Sequence, residues 1–216
     1  MKWVWCSYGI SIATVALSAA IGAWFYPGGF DWFYEVMSAL ASRKHNPEGG
    51  AWFAAGIALS MAALFPVAYR LYQDAKGGSR LETLAAWLVG VGVGCGVLVG
   101  LERLFVYHLS DLVDKAHEAL ALVTFLSLFF GNLGLAFTRT RRAGATRWVS
   151  AVVVGPLLAI GLSQLALYLD QRDLGWVDAG WREMGIPIWY SFAFWQWLAS
   201  GALWVSLGLL LAQRPK

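Results

Sequence analysis

The sequence predicts an all-α integral membrane protein, with six transmembrane helices in one bundle and an interfacial amphipathic helix after the first span. Three observations predict it. Soluble domains average about 25% charged residues, whereas this 216-residue chain has 13% charged and 59% hydrophobic residues. Six apolar runs are each long enough to cross a hydrocarbon core of about 30 Å at about 1.5 Å per residue. Tryptophans, thirteen in all, cluster near the ends of those runs, where a membrane–water interface holds aromatic belts. The whole chain reads as a single transmembrane domain.

The runs cover residues 3–25, 51–72, 83–101, 119–137, 148–169 and 188–211. Lys2 precedes the first, which is too long for the ~7–15-residue apolar core of a signal peptide, so it is expected to be a retained anchor. Between spans one and two, Tyr26-Pro27-Gly28-Gly29 is a turn signal. Phe30, Phe33, Met37 and Leu40 then keep helical spacing, with Asp31, Glu35 and Ser38 between them. That pattern predicts an interfacial helix over residues 30–43, stopped by Asn46-Pro47. Pro66 and Pro156 predict kinks in spans two and five, and Pro187 suits the first turn of span six. In span three, Gly90 and Gly94, then Gly92, Gly96 and Gly100, form overlapping small-xxx-small patterns for close helix packing. In span four, His117, Ala121, Thr124, Leu128 and Gly131 share one face, expected to point into the bundle.

Lys and Arg number ten at the chain ends and in the even loops, against six in the odd loops. The positive-inside rule therefore predicts a multi-pass plasma (inner) membrane protein with both termini cytoplasmic. Eleven of the thirteen acids and all three histidines then face outward. No ionisable residue falls near the middle of a span, which argues against a pump or channel. Ser60, Thr124, Ser127, Asn132, Gln164 and Gln196 are expected to serve interhelical hydrogen bonds. The net charge of +3 is small and scattered, with no basic stripe for nucleic acid. Cys6 and Cys95 sit in apolar runs without CxxC spacing and are expected to be buried thiols.

The most polar stretch between spans is 102–118, ERLFVYHLSDLVDKAHE. His108, Asp111, Asp114 and His117 recur every third residue there and have the donor chemistry of a metal set. One straight helix places His108 and His117 roughly 180° apart, so both histidines cannot reach one ion unless the helix breaks. His117 with Asp114 is the usable pair within a helix, and histidines at a membrane surface also serve as hydrogen-bonded structural residues. Arg43, Lys44 and Arg103 fall at headgroup depth, where they hold a lipid phosphate or snorkel.

Several short motifs carry a family resemblance. Tyr26-Pro27-Gly28-Gly29, Ser38-Ala39-Leu40, Asn46-Pro47 leading into a span with Gly56, the glycine-rich third span and Ala116-His117-Glu118-Ala119-Leu120-Ala121 are similar to a group of six-span prokaryotic membrane proteins related to the DRAM/FRAG-type family. The likeness covers residues 26–137. Members of that group typically carry Ser-Asp-Leu-Gly where this chain has Ser38-Ala39-Leu40-Ala41. The resemblance implies a six-helix bundle and a link to lipid remodelling, and it makes Ser38, Asn46 and His117 the positions to test, Ser38 and His117 as catalytic candidates.

Three functions remain open. One is a binding protein for membrane lipid, with Arg43, Lys44 and Arg103 on the headgroup. Another is an accessory subunit docked to other membrane-protein subunits. The third is a metal-dependent lipid-remodelling hydrolase at the outer leaflet, in which a bound metal lowers the pKa of water towards ~7. The sequence has no HExxH, Gly-x-Ser-x-Gly or phosphate loop, and it specifies no cofactor or reaction.

Overall fold

Apolar helices of this length must satisfy their backbone internally and pack on one another through small residues, and that is what the chain does. The structure, a computed structural model, describes residues 1–106, 112–140, 147–171 and 188–213, with backbone only for 112–115, 168, 170 and 171. Six helical segments are long and apolar enough to cross a membrane. In chain order the helices are α1 (Lys2–Trp24), α2 (Met37–Ala41), α3 (Gly50–Ala63), α4 (Phe65–Ala75), α5 (Arg80–Phe105), α6 (Leu112–Thr140), α7 (Arg147–Gln171) and α8 (Phe192–Ala212). No strand occurs among the described residues.

The helices run up and down, each spanning segment packing on the next, and α8 returns to α4, α6 and α1. Val4 shares a core cluster with Leu210 and Leu211, so residues 1 and 213 lie at the same end of the bundle, here the terminal end. The opposite end carries α2 and is called the α2 end. Exposed tryptophans mark both: Trp3, Trp5, Trp87 and Trp148 at the terminal end, Trp24, Trp32, Trp52 and Trp189 at the α2 end. Trp176 and Trp181 lie outside the described residues.

Helix α5 is the centre of the packing, and only one of its two glycine patterns is used. Gly92 lies against Leu128 of α6, Gly96 against Met61 of α3, and a Cβ at Gly100 would come within 2.6 Å of the Ala54 carbonyl oxygen. Gly90 and Gly94 face open space instead. The inward face expected of α6 is present: His117, Thr124, Leu128 and Gly131 are buried and Ala121 is partly so. Of the polar side chains expected to bond between helices, Ser60 and Gln196 do so, whereas the buried Asn132 amide has no hydrogen-bond partner among the described residues. Ser11 and Ser60 hydroxyls lie 2.9 Å apart, and the Trp204 indole N–H donates to Ser11 at 3.0 Å. Thr124 returns its hydroxyl to the Leu120 carbonyl of its own helix.

The structure corrects some of these expectations and refines others. The helix predicted over 30–43 is helical only from Met37 to Ala41. Asp31 accepts the Phe33 amide at 2.9 Å in its own local turn, and Glu35 accepts the Asp31 amide. Those bonds compete with helix, and Leu40 is buried in the bundle mouth rather than laid on an interface. Span two is broken rather than kinked: Leu64 separates α3 from α4 because Pro66 has no N–H for the Ala62 carbonyl. The helix α7 continues through Pro156. Pro187 lies outside the described residues; Ile188–Tyr190 is a 3-10 turn and α8 starts at Phe192, capped by Ser191. Cys6 is exposed and Cys95 half-buried, because an apolar run in a membrane helix turns part of its face to lipid.

Candidate functional site

The α2 end is assembled from the last turn of α5, the first turns of α6, the loop around α2 and the start of α8. The loop is fastened first. Asn46 is fully buried; its amide nitrogen donates to the Gly22 carbonyl at 2.8 Å and the Leu40 carbonyl at 3.1 Å, while its oxygen accepts the Gly49 amide at 3.0 Å. One side chain thus ties the end of α1, the end of α2 and the entrance of α3. Helix α8 fastens the other side. Gln196 accepts the Met37 amide at 2.9 Å, the Trp197 indole donates to the Glu35 carbonyl at 3.1 Å, and the Ser191 hydroxyl donates to the Phe33 carbonyl. Tyr26, Phe30, Trp32 and Trp197 stack edge to face over this junction. Burial pushes the Tyr26 phenol above its ordinary pKa, and the charge of Glu35 and its hydrogen bond with the phenol push it further.

Beside the fastened loop, α5 and α6 bring a carboxylate onto a histidine. Glu102 and His117 are both buried, and His117 Nδ1 lies 2.7 Å from Glu102 Oε2. Arg103 Nε is 3.6 Å from the same oxygen. Arg43 crosses from the α2 loop to the same turn, with Nη2 making a long contact of 3.5 Å to the Leu104 carbonyl oxygen. The last carbonyls of a helix carry partial negative charge, which explains why guanidinium groups gather there. Lys44 and His45 are exposed, and the Lys44 amide donates to the Ser42 hydroxyl.

The predicted site residues therefore separate. His117, Arg103 and Arg43 meet at the last turn of α5. Ser38 is half-buried in α2, and no hydrogen bond among the described residues joins it to His117. Lys44 stays at the surface. His108 and Asp111 lie outside the described residues, as does any contact of the Asp114 side chain, although Asp114 itself is in α6. Among the described residues no group of three His, Cys, Asp or Glu is placed to hold a metal. The stretch 102–118 is not one helix, since α5 ends at Phe105 and α6 begins at Leu112.

Glu102 is the residue that sequence reasoning missed as a partner. Helices α5 and α6 run antiparallel, and Gly92 meets Leu128. Ten residues along α5 from Gly92 (92 to 102) is Glu102, and eleven back along α6 from Leu128 (128 to 117) is His117. The glycine pattern and the inward face of α6 together contained this register. The same register in the other direction pairs Glu82 with Arg139 at the terminal end, with Arg139 Nε 3.5 Å from Glu82 Oε1 and both residues buried.

Comparison with protein-family models, with curated proteins and with solved structures gives no match for this chain.

Proposed function

We propose that this protein binds an anionic lipid headgroup at its α2 end, which the positive-inside count places on the outer face of the plasma (inner) membrane with both termini cytoplasmic. One observation carries the proposal: Arg43, from the α2 loop, and Arg103 converge on the last turn of α5, beside the Glu102 carboxylate. Two guanidinium groups brought together at headgroup depth suit a phosphate, which guanidinium binds in a forked geometry. The stitched loop supports the same reading, because Asn46 and Gln196 hold Arg43 on a fixed platform rather than a loose tail. The DRAM/FRAG-type resemblance, with its link to lipid, agrees with it.

The test is native mass spectrometry of the protein titrated with phosphatidylglycerol or phosphatidylcholine of identical chains. Replacing Arg43 with Gln is expected to weaken one phosphatidylglycerol-binding step about fivefold, the factor that about 1 kcal/mol per basic residue corresponds to. Phosphatidylcholine retention is expected to stay the same. Equal retention of phosphatidylglycerol by the Arg43→Gln/Arg103→Gln protein and the parent defeats the proposal.

The Glu102–His117 contact favours a second reading. A carboxylate on Nδ1 is the arrangement that orients a metal-ligating imidazole, and His108, Asp111 and Asp114 are the candidate co-ligands for a lipid hydrolase. A zinc content that is stoichiometric in the parent and lost in His117→Ala would replace the first reading with this one.

A further inference from the structure

The terminal-end half of the bundle has a groove that the α2-end site does not use. Helices α5 and α7 flank α6, and between them lies a depression of about 420 Å³. Phe130, Leu133, Gly134 and Phe137 of α6 form its floor, Leu84 and Leu88 belong to one wall, and Val154 and Leu158 to the other. Gly134 deepens it: α5 and α6 come so close there that a Cβ would meet that of Ala85 at 2.7 Å. From Leu81 to Leu88 the wall runs seven residues, roughly 10 Å along the helix axis. That is the depth of the upper part of one leaflet's hydrocarbon.

The mouth of this apolar groove is basic. Arg147 begins α7 seven residues before Val154 and eleven before Leu158 (147 to 154 and 158), spacings that return to within about 20° of the same helix face. Arg147 thus stands on the face of α7 that lines the groove, one leaflet step towards the interface. Arg80 opens α5 next to Leu81 on the opposite wall. Both arginines are exposed, and neither has an ion-pair partner among the described residues. Exposed Trp148 follows Arg147 at belt depth.

We infer that this groove seats one acyl chain of an anionic phospholipid from the leaflet at the terminal end, with Arg147 and Arg80 holding its phosphate. An apolar slot under two exposed guanidinium groups matches a molecule with an apolar chain under a phosphate, and a zwitterionic lipid answers only half of that chemistry. A helix of a second copy would fill the slot but would leave both cations unanswered. The inference is independent of the α2-end site, which lies at the other end of the bundle and draws on different arginines.

The experiment uses the full chain in native mass spectrometry with phosphatidylglycerol and phosphatidylcholine of identical chains, in the parent and four variant proteins. Arg80→Gln/Arg147→Gln is expected to weaken one phosphatidylglycerol-binding step roughly fivefold or more, and to leave unchanged both phosphatidylcholine and the binding step that Arg43→Gln weakens. Leu84→Trp and Leu158→Trp fill the slot from exposed wall positions and are expected to lower retention of both lipids. Arg43→Gln, the fourth variant, is expected to retain the component removed by the groove substitutions. Parent-like retention of both lipids in the arginine and tryptophan variants overturns the inference. So does a dimer of the parent that Leu84→Trp dissolves, which would give the groove to a second copy. Should the tryptophan variants fail to fold, the arginine pair decides, since both arginines are exposed and carry no packing.

Discussion

Helix α5 carries a glutamate at each end, and the two ends of the bundle treat it in opposite ways. Glu82 and Glu102 each stand ten residues from Gly92, so they are separated by about 30 Å, one hydrocarbon thickness. At the terminal end both members of the buried pair agree with their helices. Glu82 lies in the first turn of α5, where Ser79 caps its amide, and negative charge is favoured there. Arg139 lies in the last turn of α6 and donates to the Leu210 carbonyl at 2.6 Å, closing the end of α8 as well. At the α2 end the signs are reversed. Glu102 sits in the last turn of α5, beside the negative pole of its helix, and is held there by His117 and Arg103. An arrangement that opposes its helix dipoles contributes less to folding, and such discord marks places kept for a task. The terminal pair is a structural rivet, and the α2-end pair is the better candidate for chemistry.

The largest expected effect breaks the rivet. Arg139→Ala leaves Glu82 buried without its guanidinium and opens the α8 carbonyls, a loss of about 3–5 kcal/mol, read as the midpoint of unfolding in a denaturing detergent. The double replacement Glu82→Leu/Arg139→Leu should recover part of it, because apolar groups need no partner. Asn46→Ala comes next. It orphans two carbonyls and one amide at the α2 end, each worth about 1–3 kcal/mol if left unsatisfied, and it should raise hydrogen exchange over residues 36–50 before the rest of the bundle responds. Glu102→Gln preserves an acceptor for His117, so a loss of only about 1 kcal/mol is expected. A loss equal to that of Arg139→Ala would erase the contrast between the two ends. The smallest effect is alkaline. The Tyr26 phenol has its folded-state pKa raised above the ordinary 10.0, chiefly by burial and then by Glu35. Its contribution is therefore complete below pH 10 and fades as pH rises through the folded value. Tyr26→Phe should flatten that part of the decline in unfolding midpoint between about pH 9 and about pH 11.

Much of the scaffold was legible because a bilayer imposes one requirement on every span. Apolar length located all six segments, and the face of α6 from His117 to Gly131 could be read from its period alone. Helix ends were less legible: α5 runs on to Phe105 through Glu102 and Arg103, whose charges look like loop in a hydropathy profile, yet Glu102 meets His117 of α6 and Arg103 lies beside Glu102. The residues around α2 misled for a related reason. Phe30, Met37 and Leu40 have helical spacing, yet the Asp31 turn competes locally, and the bonds from Gln196, Trp197 and Ser191 are made across more than 150 residues of sequence, where no local pattern reaches. The site was legible in its members His117, Arg43 and Arg103, and its geometry was hidden in the α5–α6 register. Gly90 and Gly94 show the opposite failure, a packing pattern present in the sequence and unused by the chain's own helices.

The bonds between the first and last spans bear on how the protein is made. Tyr8 donates to the Trp204 carbonyl at 2.8 Å, and Trp204 donates back to Ser11. A ribosome delivers α1 to the membrane long before α8 exists, so Tyr8 and Ser11 must wait through the synthesis of four intervening spans for this partner. During that interval the flank of α1 that α8 will cover is open to lipid, to the insertion machinery and to quality-control proteases. The flank of α1 is therefore closed only once the helix that carries Trp204 has been made.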